Sequence, residues 1–344
     1  MKTVNKFTIS GVLFGLLFPI LSTLFESLNK FGTISFSLLL QVQTNNALLW
    51  VINTAPLFLG LFARLAGIKQ ERAEKINREL KFEIISRNAI ETNLREMISI
   101  YKEDLEAAKI IQEFSLPKIS KFLQCKIAYK YIPLNPVGGD FLSLQKINEN
   151  TLSILVGDVV GHGISAALIT SLVNVLANNN KHVNSPSKYL ESLNFEANKY
   201  LPDDSYFTAI YGLFEFQKDS VKLLFSRGGH PYPFIYSSKE NKTTLAEIPG
   251  SPLGLMDELS FLELTISLQP KDRVYFITDG ILEARNINNK ILGPKGLCDL
   301  FTKASTQNHS IEESIQYIIK EFNAYCFGVP VNDDCLILGI EILE

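Results

Sequence analysis

From Phe7 to Phe25 the chain carries no charged residue, and the apolar run FTISGVLFGLLFPILSTLF constrains the fold more than any other segment. As a helix that rises ~1.5 Å per residue it is long enough to cross a ~30 Å hydrocarbon layer. A cleaved signal peptide is the alternative, but its apolar region is normally shorter and precedes small residues at a cleavage site. Because Phe25-Glu26-Ser27 offers no such site, the sequence favours a first membrane span over residues 7–25.

A second apolar run lies between Ala47 and Phe62 and extends to Ala66 if the Arg64 side chain reaches out to the interface. Trp50 lies near one end, where an aromatic anchor is expected. The sequence therefore predicts a membrane hairpin over residues 1–67, with spans at about 7–25 and 47–66. The intervening residues 26–46 are polar enough for an exposed loop, although the apolar stretch 34–42 can also dip into lipid or pack on the spans.

The positive charges set the expected orientation. Lysines at positions 2 and 6 precede the first span, and Arg64 and the basic residues at 69, 72 and 75 follow the second apolar run at Phe62. The loop between the spans holds only Lys30. Since positive residues are enriched on the cytoplasmic side, both ends should face the cytoplasm. We therefore expect a multi-pass protein of the cell (inner) membrane whose C-terminal part lies in the cytoplasm.

Residues 68–117 form a linker with the composition of a long helix. Between Gln70 and Phe114 there is neither proline nor glycine, and Pro117 ends the segment. Apolar residues recur at spacings of three and four, with two consecutive steps of four around Tyr101. Two interpretations stay open: a coiled-coil-like stalk that joins two copies in parallel as a homodimer, or a solvated helix that packs on its own domain.

Beyond Lys118 the pattern changes to short β-rich runs separated by turn residues, with helices predicted near 165–178 and 311–325. Because turns join most successive strands, antiparallel sheets are favoured and the fold class is α+β. The predicted strands are 126–131, 152–156, 207–216, 221–226, 234–236, 261–266, 273–277 and 335–342.

Several aspartates lie at the end of an apolar strand or beside a glycine, in the contexts NPVGGD (Asp140), SILVGD (Asp158), VYFITDG (Asp279) and VNDD (Asp333, Asp334). Mg²⁺ and Mn²⁺ prefer oxygen ligands, so aspartates that converge in the fold make a plausible two-metal site. Two such ions ~3.5–4 Å apart can clamp a phosphoryl group. Each aspartate alone is more often a turn residue, and only their joint pattern indicates a site.

Eight motifs from Glu106 to the C-terminus resemble the SpoIIE-like serine/threonine phosphatases, the bacterial branch of the metal-dependent PPM class. They occur in the family's order: 108–117 (A-x-x-I-Q-x-x-x-L-P), 137–141 (VGGDF), 157–163 (GDVVGHG), 207–212 (FTAIYG), 227–234 (RGGHPYPF), 250–255 (GSPLGL), 278–286 (TDGILEARN) and 332–334 (NDD).

The resemblance implies a PPM-type sandwich of two antiparallel β-sheets flanked by helices over residues 118–344, with two Mn²⁺ or Mg²⁺ ions at one edge. A metal-bound hydroxide would attack phosphoserine or phosphothreonine, often on a STAS-type anti-anti-sigma protein. Asp158 resembles the bridging ligand and Asp140 the outer carboxylate. His162 is either a general acid or a turn residue. The metal ligands implied are Asp140, Asp158, the carbonyl of Val159, Asp279, and Asp333 or Asp334.

Several other functions fit less well. With a net charge of −3 the chain has no basic field to indicate nucleic acid as a partner. Its four scattered cysteines form no zinc motif and are interpreted as reduced packing thiols. A phosphatase fold that only binds a regulatory partner, as a signalling scaffold, would be expected to have lost ligands. The Gly138–Phe141 segment also matches part of a diguanylate cyclase signature, but it lacks the glutamate of that motif.

Overall fold

The computed structural model describes residues 2–118, 122, 124–180, 183–218, 220–307 and 309–343. Two compact units are present, Met1–Ser99 and Ile100–Glu344, and each is described by itself. In the first unit the helices are α1 (Lys2–Phe31), α2 (Phe36–Asn45), α3 (Ala47–Ile52) and α4 (Ala55–Ser115), the last of which continues into the second unit.

Small residues allow α1 and the start of α4 to approach closely. A Cβ atom added at Gly15 would lie 2.4 Å from the Cα of Pro56, so no larger residue fits there without movement. Two stretches of the described chain, Lys2–Phe31 and Ala47–Ser115, are long and apolar enough to cross a membrane. They contain the two predicted spans, and a break after α3 interrupts the second.

The segment between the spans is largely helical and is not the exposed loop that its polarity allows. Helix α2 packs on α1, where Thr23 Oγ1 donates a 2.8 Å hydrogen bond to Gln43 Oε1. Val42 is buried at this contact. This contact fits the expectation that residues 34–42 pack on the spans, and contact of the segment with lipid stays a prediction.

The second unit contains two five-stranded sheets in which every pairing of neighbouring strands is antiparallel. The first sheet has the order β1 (Cys125–Ile132), β10 (Cys335–Ile342), β9 (Arg273–Ile277), β6 (Phe234–Ser237), β7 (Lys242–Leu245). The second has the order β2 (Asp140–Asn148), β3 (Thr151–Val159), β4 (Phe207–Gln217), β5 (Ser220–Gly228), β8 (Glu263–Leu268).

Buried side chains form three clusters that define the layers. One cluster fills the space between the two sheets and includes Ile154, Phe214 and Leu338. A second packs the outer face of the first sheet against α8 (Gly293–Thr306) and α9 (Ile311–Tyr325). A third packs the second sheet against α5 (Ile164–Asn179) and α6 (Pro186–Tyr200). The short helix α7 (Asp279–Leu282) follows β9.

The predicted fold class, an α+β sandwich of two antiparallel sheets flanked by helices, is confirmed. The bounds of β9, β10 and α9 agree with the sequence prediction, whereas β8 begins at Glu263, two positions later than predicted. Strands β2 and β7 and helices α6 and α8 were not predicted. All four cysteines are free, as their spacing indicates, and burial raises the pKa of the Cys125 thiol to about 12.

Candidate metal centre

The acidic residues lie where strands of both sheets begin or end. Asp140 opens β2 and lies directly opposite Asp158 of β3, because the register of this antiparallel pair places the two residues across from each other. Asp279 is the first residue of α7, immediately after β9. Asp334 directly precedes β10, which pairs with β9. The sandwich therefore brings four distant sequence positions to one edge.

Thr278 links the Asp140 carboxylate, in β2 of the second sheet, to the backbone of β10 in the first sheet. Its Oγ1 donates a 2.8 Å hydrogen bond to Asp140 Oδ2 and accepts a 2.9 Å bond from the Leu336 N–H. Sequence reasoning missed this residue. Its place as the first residue of the 278–286 motif, immediately before Asp279, was the available signal.

Asp334 is almost fully buried, and backbone donors hold both of its carboxylate oxygens. Oδ1 accepts a 2.7 Å bond from the Leu134 N–H and Oδ2 a 2.7 Å bond from the Gly139 N–H. The adjacent Asp333 accepts a 2.8 Å bond at Oδ1 from the Asp334 N–H. Asp334 thus ties the loop before β2 to the loop before β10.

The backbone of Gly139 lies close to two oxygen atoms at the end of β3. A Cβ atom at this position would lie 2.7 Å from the Val159 carbonyl oxygen and 2.9 Å from Asp158 Oδ1. The two predicted ligands from the end of β3 therefore lie side by side next to the Gly139 backbone. Any residue with a side chain would collide with both oxygens.

The carboxylates repel one another in a buried setting. Burial, followed by the charges of Asp279, Asp333 and Asp334, raises the pKa of Asp158 to about 8. Burial and the charge of Asp158 raise the pKa of Asp140 well above its ordinary value. The pKa of Asp279 and that of Asp334 are also raised, in each case mainly by burial. Binding of protons or cations would relieve the repulsion within such a cluster.

The donor set suits a hard divalent cation, which is bound by carboxylate and carbonyl oxygens. The buried atoms Asp140 Oδ1 and Asp279 Oδ1 accept no hydrogen bond from the described residues, so each has lone pairs left for a cation. Within the same residues, no group of three His, Cys, Asp or Glu side chains is arranged to hold one ion. Mg²⁺ often uses only one or two carboxylates and completes its shell with water, so the residues fit such an ion.

The two histidines of the glycine-rich motifs differ in burial. His162 is exposed in the turn between β3 and α5, and its role as a general acid stays a prediction. His230 is fully buried, and its Nδ1 lies 2.8 Å from Thr208 Oγ1. Burial and the Arg227 charge lower the pKa of His230 to about 3. The Ile277 backbone acts in the opposite sense and raises this pKa, while Nε2 has no hydrogen-bond partner within the described residues.

A cavity of about 300 Å³ adjoins the acidic edge, and Asp279 and Glu283 are among the residues that line it. Arg227 also lines this cavity, and its guanidinium carbon lies 4.4 Å from the centre of the Tyr232 ring. Arg227 also donates to the carbonyl oxygens of His230 and Ile248, which fix its position. Sequence reasoning did not assign Arg227 to the site.

Two further side chains near the acidic edge were not predicted to act there. Gln112, near the end of α4, hydrogen-bonds the backbone of Gly138. The buried Tyr131 hydroxyl has no hydrogen-bond partner in the described chain, and a Cβ atom at Gly138 would lie 2.4 Å from it. Burial, then the charges of Asp334, Asp140 and Asp158, raise the pKa of Tyr131. Gln112 is a specified position of the 108–117 motif, which was the available signal for it, whereas no motif marks Tyr131.

Comparisons with a family model and with known proteins agree on one family. The family described as Stage II sporulation protein E (SpoIIE) matches residues 148–343. Phosphoserine phosphatase RsbP of Bacillus subtilis (strain 168) is 28% identical over 187 residues, which cover 53% of this chain and 46% of RsbP. Phosphoserine phosphatase RsbU of the same organism is 25% identical over 195 residues, 56% of this chain and 57% of RsbU. The match thus spans about half the length of these relatives.

Solved structures share the fold at low sequence identity. The SiaA-PP2C domain of Pseudomonas aeruginosa superposes with a TM-score of 0.61 at 19% identity, covering 71% of this chain and 98% of that domain. The PP2C phosphatase domain of SpoIIE from Bacillus subtilis, solved with a fragment of its regulatory domain, gives a TM-score of 0.53 at 16% identity. This alignment covers 64% of this chain and 62% of that one.

Proposed function

The chain belongs to the SpoIIE family, and on that premise we propose that it is a membrane-anchored, metal-dependent protein serine/threonine phosphatase. The observation that carries this proposal is the convergence of Asp140, Asp158 and Asp279. They lie at one edge of the sandwich, and two of them have buried oxygens that accept no hydrogen bond within the described chain.

In this proposal the chain's own residues hold and orient two Mn²⁺ or Mg²⁺ ions. Asp158 and the Val159 carbonyl bind from the end of β3, Asp279 binds from the start of α7, and Asp140 binds through its free Oδ1. We favour Asp333 over Asp334 as the remaining ligand, because two backbone N–H groups already hold the Asp334 oxygens. When bound, the ions supply a Lewis acid that polarises phosphoryl oxygens and lowers the pKa of coordinated water.

The proposed substrate is a phosphoserine or phosphothreonine on a regulatory protein, with a STAS-type anti-anti-sigma factor as the specific partner. The names of RsbP and RsbU as phosphoserine phosphatases support the phosphoserine part. The cavity beside Asp279 offers space for substrate residues next to the phosphorylated one. His162, at the loop after β3, is the chain's proposed proton donor to the leaving oxygen.

We further propose that the N-terminal helices anchor the chain in the cell (inner) membrane, with the phosphatase domain in the cytoplasm. The two long apolar helices and the positive residues outside them support this arrangement. Helix α4 exposes apolar residues at helical spacing, with Ile90 64%, Leu94 55% and Met97 68% exposed. A second copy would cover this row in a parallel homodimer, and a signal would then act by rearranging the two stalks.

A non-catalytic scaffold that binds a regulatory partner is the second candidate. The retained carboxylates of Asp140, Asp158 and Asp279 count against it, since a fold without turnover would be expected to lose ligands. The two functions differ in a simple measurement, because only a phosphatase turns over substrate.

The test is Mn²⁺-dependent release of phosphate from a phosphoserine peptide by the full chain in detergent micelles. The phosphatase proposal expects turnover that requires the metal and is lost in Asp158→Ala, while the exposed-site variant Asp203→Ala retains it. Equal rates for the wild type and Asp158→Ala would refute the assignment of this site. Absence of turnover with intact peptide binding would favour the scaffold.

A further inference from the structure

Gln112 contacts the loop that carries Asp140. It lies in the last turn of α4 and is only 8% exposed, although glutamine is usually a surface residue. Its Nε2 donates a 2.7 Å hydrogen bond to the Gly138 carbonyl, and its Oε1 accepts a 3.0 Å bond from the Gly138 N–H. One side-chain amide therefore satisfies both backbone groups of a single buried residue.

The residues that follow Gly138 are fixed just as closely. The Gly139 N–H donates to Asp334 Oδ2, and the Gly139 carbonyl accepts a 2.8 Å bond from Thr170 Oγ1. Asp140 comes next, with Oδ2 held by Thr278. Gln112 is thus the first of a series of side chains that hold the backbone leading to the Asp140 carboxylate.

Space at this contact is limited, so other groups cannot easily take the place of the glutamine amide. A Cβ atom at Gly138 would lie 2.0 Å from Asp334 Oδ2, which means that the loop is packed directly on the acidic cluster. An amide offers a donor and an acceptor side by side, as this pair of backbone groups requires. Without it the buried N–H and C=O of Gly138 lose their hydrogen-bond partners. This loss favours displacement of the loop.

We propose that Gln112 is a positioning residue for the divalent cation site, which it supports by fixing Gly138 and thereby the approach of Asp140 to Asp158. The inference rests on the proposed function, because it concerns the affinity of the same site. It also assigns a role to the C-terminal end of α4: the last turn of this helix and bound metal should stabilise each other, since coupling between two binding events is reciprocal.

The experiment is calorimetric titration of Mn²⁺ into the full chain in detergent micelles, comparing the wild type with Gln112→Ala and Gln112→Met. Methionine keeps the length and apolar packing of glutamine but cannot hydrogen-bond the Gly138 backbone as the amide does. Loss of a group that supports a metal ligand typically weakens affinity by about 10- to 100-fold, and we expect about 10-fold for both variants. Glu113→Ala, exposed on the same helical turn, is the matched control and should bind like the wild type.

The Mn²⁺ dependence of peptide hydrolysis gives a second readout. The variants should need about 10-fold more Mn²⁺ for half-maximal rate while KM for the peptide at saturating metal stays unchanged. Wild-type affinity in Gln112→Met would overturn the inference, and so would failure of both variants to fold, since Gln112 would then be a general stability residue. If the wild type itself neither binds Mn²⁺ nor releases phosphate, the proposed function fails instead.

Discussion

Asp158→Asn should stabilise the metal-free protein while it abolishes stabilisation by metal. In the folded chain the pKa of Asp158 is about 8, against 3.8 for an ordinary aspartate, because burial and the neighbouring carboxylates disfavour its charge. At about 1.4 kcal/mol per tenfold change, keeping this group protonated at pH 7 costs about 4 kcal/mol relative to an unfolded chain that ionises freely. An asparagine avoids this cost, so we expect a net gain of about 2–4 kcal/mol.

The sign of the pH dependence follows from the raised pKa. Below pH 3.8 both states of the wild type are protonated, so Asp158 imposes no penalty there. As pH rises towards 8 the unfolded chain loses its proton first, and the folded chain becomes steadily less stable relative to it. The advantage of Asp158→Asn should therefore be small near pH 4 and grow up to about pH 8.

The assay is thermal unfolding of the full chain in detergent with excess chelator, followed by the near-ultraviolet circular dichroism of tyrosine. The single tryptophan, Trp50, lies in the N-terminal unit and would not report on the phosphatase domain. With roughly 2–4 °C per kcal/mol for a domain of this size, Tm should rise by roughly 4–16 °C at pH 7. Asp203→Asn, at an exposed turn, is the control and should leave Tm unchanged.

Added Mn²⁺ should narrow or close the difference in stability between the two proteins. At a concentration of about 100 times Kd, metal stabilises the wild type by about 2.7 kcal/mol, whereas Asp158→Asn should gain almost nothing. If Asp158→Asn were no more stable than the wild type in chelator between pH 5 and 8, the pKa of Asp158 would not be raised in the folded chain. Equal stabilisation of both proteins by Mn²⁺ would show that Asp158 does not bind the metal.

Three further perturbations test separate parts of the structure. Thr278→Val removes the hydroxyl that donates to Asp140 and should lower the free energy of unfolding by about 1–3 kcal/mol in urea titrations, with Thr278→Ser restoring it. Burial raises the pKa of Glu263, but hydrogen bonds from Ser187 and Ser185 outweigh it and lower that pKa overall. Glu263→Ala should therefore cost about 1 kcal/mol at neutral pH, and its difference from the wild type should vanish as acid protonates Glu263. Gly15→Val should disturb the α1–α4 contact by about 1–3 kcal/mol and make the N-terminal unit more sensitive to protease in micelles.

The elements predicted best from sequence are those with a strong period and clear boundaries. Strand β9 is an unbroken buried run before a Thr-Asp-Gly turn, and α9 begins with a capping box formed by Ser310 and Glu313. Helix α8 was missed because Gly293, Pro294 and Gly296 obscure its start, although its later residues are amphipathic. Helix α6 had a usable signal in Ser185 followed by Pro186, a cap and a first-turn proline.

Sequence could identify the acidic site residues but not their supports. Asp140, Asp158 and Asp279 stand in recognisable motifs, and the sandwich brings them to one edge. The contacts of Gln112 with Gly138 and of Asp334 with Leu134 join segments far apart in the chain. Such pairings depend on the register of strands and on the packing of α4, which no local pattern encodes.

In the proposed function Asp140, Asp158 and Asp279 bind the catalytic metal ions, and anomalous scattering at the manganese edge from crystals of the full chain grown with Mn²⁺ would locate those ions. We expect two peaks about 3.5–4 Å apart, flanked by Asp158 and Asp279 with Asp140 beside them. A crystal with Mn²⁺ bound elsewhere and no peak within bonding distance of the Asp158 carboxylate would contradict this assignment.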